Sequence, residues 1–340
     1  MIESSLHSSE PVMLPERPLG RTRSILGYGV LNALMIVISI PVFVPASLIL
    51  CAIRNGRRAA WISLGIATSL AVLLISASPP AQDQSNFVFS SIAGVVLAIA
   101  IPALAAFPLI ERGETYGRLL VFLLAGSALG LAVTELGARA VASYSPYAAH
   151  VAQARTLTDE VVRQYRGMGM PSDSLQVAER WGSYYATVLQ PGAMLLTAAM
   201  VFVLSLLMLG RLRGWREYAA THGAGTTNTF QFRNFALPEW LPFAFVLGGL
   251  APLATGMLHK IAANVLMVAV FLFMLQGYAL LRYLLASIGI GFIGALLAMG
   301  LATLSGVGPL LLAVAGLFDP FFDFRHFKKR KDDSHESHSD

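Results

Sequence analysis

Charge is what this sequence has least of. Of its 340 residues only 13% are charged while 56% are hydrophobic, against roughly a quarter charged in soluble domains, and the mean hydropathy is +0.65. A water-soluble core of this size is excluded. Cysteine is nearly absent as well: Cys51 alone, inside an apolar run, rules out an intramolecular disulfide framework or a multi-cysteine metal site and reads as a small buried hydrophobe. Also missing are Walker A, H-E-x-x-H and G-x-S-x-G sequences. The chain therefore cannot by itself be an ATP-driven pump, and neither enzymatic activity nor a cofactor is expected. The run Gly289-Ile290-Gly291-Phe292-Ile293-Gly294 does match G-x-G-x-x-G. It lies inside an apolar span rather than after a strand, so Gly289, Gly291 and Gly294 read as helix-packing glycines.

What is present is a series of long apolar segments. A spanning helix needs about 20 apolar residues, so the length predicts an all-α polytopic transmembrane bundle of roughly eight to ten spans over residues 24–324. Two short helices are expected near 24–39 and 42–53, turning at Ile40-Pro41, and another short pair at 284–303 and 309–318. The spans at 239–257 and 261–281 are expected to be separated by His259-Lys260. Residues 1–23 lack the order of a cleaved signal peptide and read as a flexible cytoplasmic tail. Residues 325–340 read as a second cytoplasmic tail, basic and then disordered, whose His326, His335 and His338 have no fixed geometry for a metal. Most basic residues fall at turns assigned to one side, which by the positive-inside bias is the cytoplasm. The net charge of +5 is thus explained by topology and anionic headgroups, and no nucleic-acid partner is expected.

Between the spans, residues 148–187 form the one long insertion on the proposed outer face. Apolar positions at helical spacing predict an amphipathic hairpin with Ser172 capping its second arm. Such a hairpin either bridges two spans or acts as a lid, with Tyr165, Trp181, Tyr184 and Tyr185 as the candidate lid aromatics. Polar residues inside apolar spans are candidate ligand or polar-network positions. Glu135 and Arg139, four apart, share a helix face. Asn264 and Gln276, twelve apart and so about 18 Å along one axis, are each expected to hydrogen-bond a neighbouring helix. Gly126 and Gly130 stand at the spacing that lets two helices approach closely, either within the bundle or between copies.

Several short motifs recur in a known order: Leu189-Gln190-Pro191-Gly192, Phe235-Ala236-Leu237-Pro238-Glu239-Trp240, Asn264 followed by Leu275-Gln276-Gly277, and Gly316-Leu317-Phe318-Asp319 with Asp323-Phe324-Arg325. With Ile40-Pro41, Pro45 and the arginine turn at 54–58, they make the chain resemble the YybS-like bacterial membrane proteins, a family of unknown function. That family in turn is similar to the S-components of energy-coupling-factor transporters. The resemblance implies a bacterial cytoplasmic-membrane protein with both termini inside and an S-component-like core with extra helices. Its implied role is to bind or pass a small-molecule ligand. The alternative is a non-transporting scaffold that contacts other membrane proteins; in either case the lipid bilayer is the constant partner.

Overall fold

The computed structural model describes residues 18–77, 85–221 and 230–322; the expectations for most of the first tail and for 323–340 lie outside them. Among the described residues the regular elements are helical and no strand occurs, so the protein is an all-α polytopic bundle. In chain order the helices are α1 (Pro18–Val37), α2 (Phe43–Asn55), α3 (Arg57–Ala77), α4 (Ser85–Glu111), α5 (Tyr116–Ala142), α6 (Pro146–Gly167), α7 (Ser172–Leu209), α8 (Arg213–Thr221), α9 (Leu241–Gly249), α10 (Gly256–Ser287), α11 (Phe292–Leu304) and α12 (Gly308–Phe322).

Five of these, α3, α4, α5, α7 and α10, are long and apolar enough to cross a membrane. The expectation of eight to ten spans counted the short helices as full crossings. Thr22–Val37, α2 and Leu241–Leu253 are shorter than a crossing requires, and α11 and α12 form a pair bent by 110° that at most makes a sixth span. At 1.5 Å per residue the 13 residues of α2 reach only about 20 Å, less than the ~30 Å hydrocarbon core. Two boundaries also differ. Helix α10 begins at Gly256, so His259 and Lys260 lie in its first turns rather than in a loop, and it continues past Arg282 to Ser287. The glycine run falls at the break before α11. Gly289 there has φ +82°, and added Cβ atoms on Gly289 and Gly291 would meet open space. One on Gly294 would meet only the side chain of Ile290. Gly289 turns the chain, and none of the three brings two helices together.

Helices α1, α2 and α3 pack together, and α10 makes its most extensive contact with α12. The α10–α12 crossing is close because of two glycines. A Cβ on Gly277 would lie 1.9 Å from the Leu312 carbonyl oxygen, and one on Gly316 would lie 2.0 Å from that of Phe273. At one end of the bundle Arg57 pairs with Glu111 and sits over the Phe107 ring, 5.6 Å from its centroid. Arg211 lies similarly 5.3 Å over Phe292. The hairpin of α6 and the first arm of α7 occupies the other end.

Prolines inside the long helices decide where the bundle becomes irregular. Helix α4 widens to a π turn at Val96–Ala100, just before Pro102. Proline has no N–H, so the carbonyl four residues back, on Ala98, loses its helical donor. Ser127 of α5 donates its hydroxyl to that oxygen at 2.5 Å. The neighbouring Gly126 and Gly130 let α5 reach it: Cβ atoms there would lie 2.9 Å from Pro102 Cβ and 2.2 Å from the Leu97 carbonyl oxygen. Both glycines are therefore committed to an internal contact.

Candidate functional site

The hairpin is fixed at both roots by polar side chains. At the first root, Glu135 accepts from Arg139 Nε at 2.5 Å, from the Ser145 hydroxyl at 2.6 Å and from the Tyr147 backbone N–H at 2.9 Å. Ser145 is the N-cap of α6, its hydroxyl accepting from Ala148 N–H, and Pro146 follows at the first helical position, where no N–H is needed. A carboxylate beside a helix N-terminus is stabilised by the exposed N–H groups. Glu135 thus holds the start of α6, with Arg139 as its counter-ion.

The second root is the π turn Tyr185–Leu189 in α7, again just before a proline, Pro191. Asn264 of α10 donates to the Val188 carbonyl at 2.7 Å and accepts from the Gly192 N–H at 2.5 Å, the two groups standing one helical rung apart. The carbonyl that Pro191 leaves without a donor, on Thr187, faces the Tyr147 hydroxyl at 3.5 Å. A second tie joins the hairpin to α10. The Tyr184 hydroxyl lies 3.1 Å from His259 Nε2, and His259 Nδ1 lies 2.9 Å from the Ala251 carbonyl. A carbonyl only accepts, so Nδ1 donates to Ala251 and Nε2 is the nitrogen that meets Tyr184.

Between the two hairpin arms lies an open groove of about 500 Å³, within the size range of small-molecule sites. Leu157, Val161 and Val162 make its apolar wall, while His150, Tyr185 and Gln190 bring polar groups. The arms cross tightly at Gly182, where a Cβ would lie 2.1 Å from Thr158 Cγ2. Burial holds His150 below its ordinary pKa of 6.5, favouring the neutral ring. Gln190 is 9% exposed, and its side-chain carbonyl oxygen is buried with no hydrogen-bond partner among the described residues.

Of the lid aromatics named from sequence, Tyr185 alone lines this cavity. Tyr184 is taken up by His259, Trp181 stands edge-to-face on Tyr184 with centroids 5.9 Å apart, and Tyr165 is exposed. Ser172 does not cap the second arm: Pro171 precedes the helix and the Ser172 hydroxyl meets Asp173. Sequence reasoning passed over His150 and placed Gln190 only in a motif; an amide opening an apolar span beside a proline was the available signal.

Gln276 lies at the other end of α10. Its side-chain oxygen accepts from the Leu237 N–H at 3.1 Å, and its NH₂ donates to Asp319 at 3.1 Å. Gln276 is 1% exposed and Asp319 7%. The 235–238 segment is also pinned from α5, where a Cβ on Gly117 would come within 2.0 Å of the Ala236 carbonyl oxygen. Asn264 and Gln276 therefore do one job at two places, satisfying backbone that is not in a regular helix; neither lines the hairpin cavity.

These contacts join the motifs read from the sequence. Leu189–Gly192 meets Asn264, and Leu237, Gln276 and Asp319 meet one another. No curated protein and no solved structure matches the chain, so the likeness to S-components finds no support there. Residues 26–320 match the family described as "Predicted membrane protein (DUF2232)". The chain belongs to that DUF2232 family of membrane proteins.

Proposed function

We propose that this protein binds a small amphipathic molecule in the groove between the arms of its hairpin. The carrying observation is Gln190, an amide nine-tenths buried at the cavity wall whose side-chain carbonyl has no partner. A buried acceptor left unpaired costs about 1–3 kcal/mol; the oxygen is sealed from the groove in this structure, so a ligand hydroxyl or N–H recovers that cost once the Gln190 side chain turns toward it. The aliphatic wall takes the apolar remainder of such a ligand, and the neutral His150 ring adds one further donor or acceptor. The clamps at Glu135 and Asn264 serve this site by holding the two arms in place.

The side on which the cavity opens follows from charge. Arg57, Arg118 and Arg211 gather at the opposite end of the bundle, and the positive-inside bias assigns that end to the cytoplasm. In a bacterial cytoplasmic membrane the hairpin then faces outward. This reading is of binding; passage across the membrane, which the S-component likeness implied, has no observation behind it. A scaffold using the Gly126 and Gly130 face would need that face free, and it is occupied by α4.

The test is photolabelling of the reconstituted protein with a diazirine-bearing alkanol, which pairs a hydroxyl donor with an aliphatic tail, followed by peptide mapping. Labelling concentrated on 150–162 and 182–190, and reduced several-fold in Gln190→Leu, is the expected result. Labelling spread evenly over the lipid-facing helices would refute the proposal.

A further inference from the structure

A second cavity, of about 580 Å³, lies at the end of the bundle away from the hairpin and is lined by Arg118, Val121, Phe122, Pro238, Glu239 and Trp240. Its walls are rigid for reasons already given: Gly117 brings α5 against the Ala236 backbone, and Gln276 holds Leu237. The two charged side chains at its rim are therefore carried by a fixed frame. Arg118, Val121 and Phe122 are spaced three and four residues apart and so share one face of α5. A guanidinium stands at the first turn of the span, with an apolar strip leading from it toward the middle of the bilayer. Trp240, 53% exposed, occupies the level at which tryptophan anchors to the membrane–water boundary.

That succession of charge, aromatic ring and apolar strip is the profile of a phospholipid, and the charges select among headgroups. Arg118 meets Glu114 at 3.3 Å, while Glu239 has no ion pair among the described residues. The groove itself is lined by one guanidinium and one carboxylate. A purely anionic headgroup would answer Arg118 and leave Glu239 facing a like charge, whereas a zwitterion can place its phosphate on Arg118 and its ammonium on Glu239. An ammonium with N–H donors gains a charge-assisted hydrogen bond there that a trimethylammonium cannot form. We infer that this groove is a binding site for an amine-bearing zwitterionic phospholipid of the phosphatidylethanolamine class, with the phosphate on Arg118, the amine on Glu239 and an acyl chain along Val121 and Phe122.

The experiment is native mass spectrometry of the full chain released from nanodiscs of equal parts phosphatidylethanolamine, phosphatidylcholine and phosphatidylglycerol, scoring which lipids stay bound. The wild type is expected to retain phosphatidylethanolamine in preference to the other two. Glu239→Gln should lower the ratio of phosphatidylethanolamine to phosphatidylcholine by about tenfold, the size of one charge-assisted hydrogen bond, and Glu239→Asp should keep most of it. Arg118→Gln should weaken retention of all three lipids. Both side chains are exposed, so unchanged thermal unfolding of the variants is expected, and Arg166→Gln on the hairpin serves as the control that alters no lipid ratio. Equal retention of the two zwitterions, preference for phosphatidylglycerol, or a ratio unmoved by Glu239→Gln would each overturn the inference.

Discussion

Replacing Gln276 by Met keeps the side-chain volume and removes both of its hydrogen bonds. The Leu237 N–H is then stranded in a place that water does not reach, and the Asp319 carboxyl, 7% exposed, gives up one of its interactions. An orphaned buried group costs about 1–3 kcal/mol, which sets the scale of the loss, with the Gln276–Asp319 bond adding a smaller part. Part of that loss belongs to the pair itself. Polar pairs between membrane helices couple by about 0.6 kcal/mol on average and about 1.7 at most, so a double-mutant cycle of Gln276→Met with Asp319→Leu, each of which removes the bond, should give about 1 kcal/mol. The assay is reversible denaturation in mixed micelles followed by tryptophan fluorescence. Trp240 lies three residues from the released Leu237, so its emission should change before the global transition. A single-mutant loss under about 0.5 kcal/mol with no coupling in the cycle would refute the claim that this amide pins the 235–238 segment.

At the hairpin root, Glu135→Gln should cost about 1 kcal/mol of local stability, the scale of a helix cap, and hydrogen exchange at Tyr147 should accelerate while exchange in α10 stays as it was. Burial lowers the His150 pKa below 6.5, so the neutral ring is the native form. Its stabilisation is fully present above pH 6.5 and is lost as pH falls through the lowered folded value; thermal unfolding of the hairpin should therefore weaken on acidification in the wild type and much less in His150→Gln. Gly316→Ala should destabilise by about 1–3 kcal/mol through overpacking against the Phe273 carbonyl, whereas Gly291→Ala should stay within about 0.5 kcal/mol, because its Cβ would meet open space. A reversed order in the same denaturation assay would restore the packing role read for the 289–294 glycines.

Class and solvent were legible in the residues alone. Hydropathy is a sum over composition, so 13% charge and long uncharged runs required a membrane bundle whatever its packing. The hairpin was legible for a related reason, since apolar residues at helical spacing mark an amphipathic helix before any partner is known. The local motifs carried family membership. Tertiary structure alone decided which amide meets which backbone. Pro102 and Pro191 announce a freed carbonyl, but that Ser127 answers the first, while Asn264 and Tyr147 meet the backbone around the second, depends on helices brought together across the bundle. The same holds for glycine: Gly277 and Gly289 look alike in sequence, yet one lies under the Leu312 carbonyl and the other turns the chain at φ +82°. Gln190 shows the limit most plainly. Its identity was in view from the start, but burial without a partner is a property of its surroundings, and those exist only once α6, α7 and α10 have closed around it.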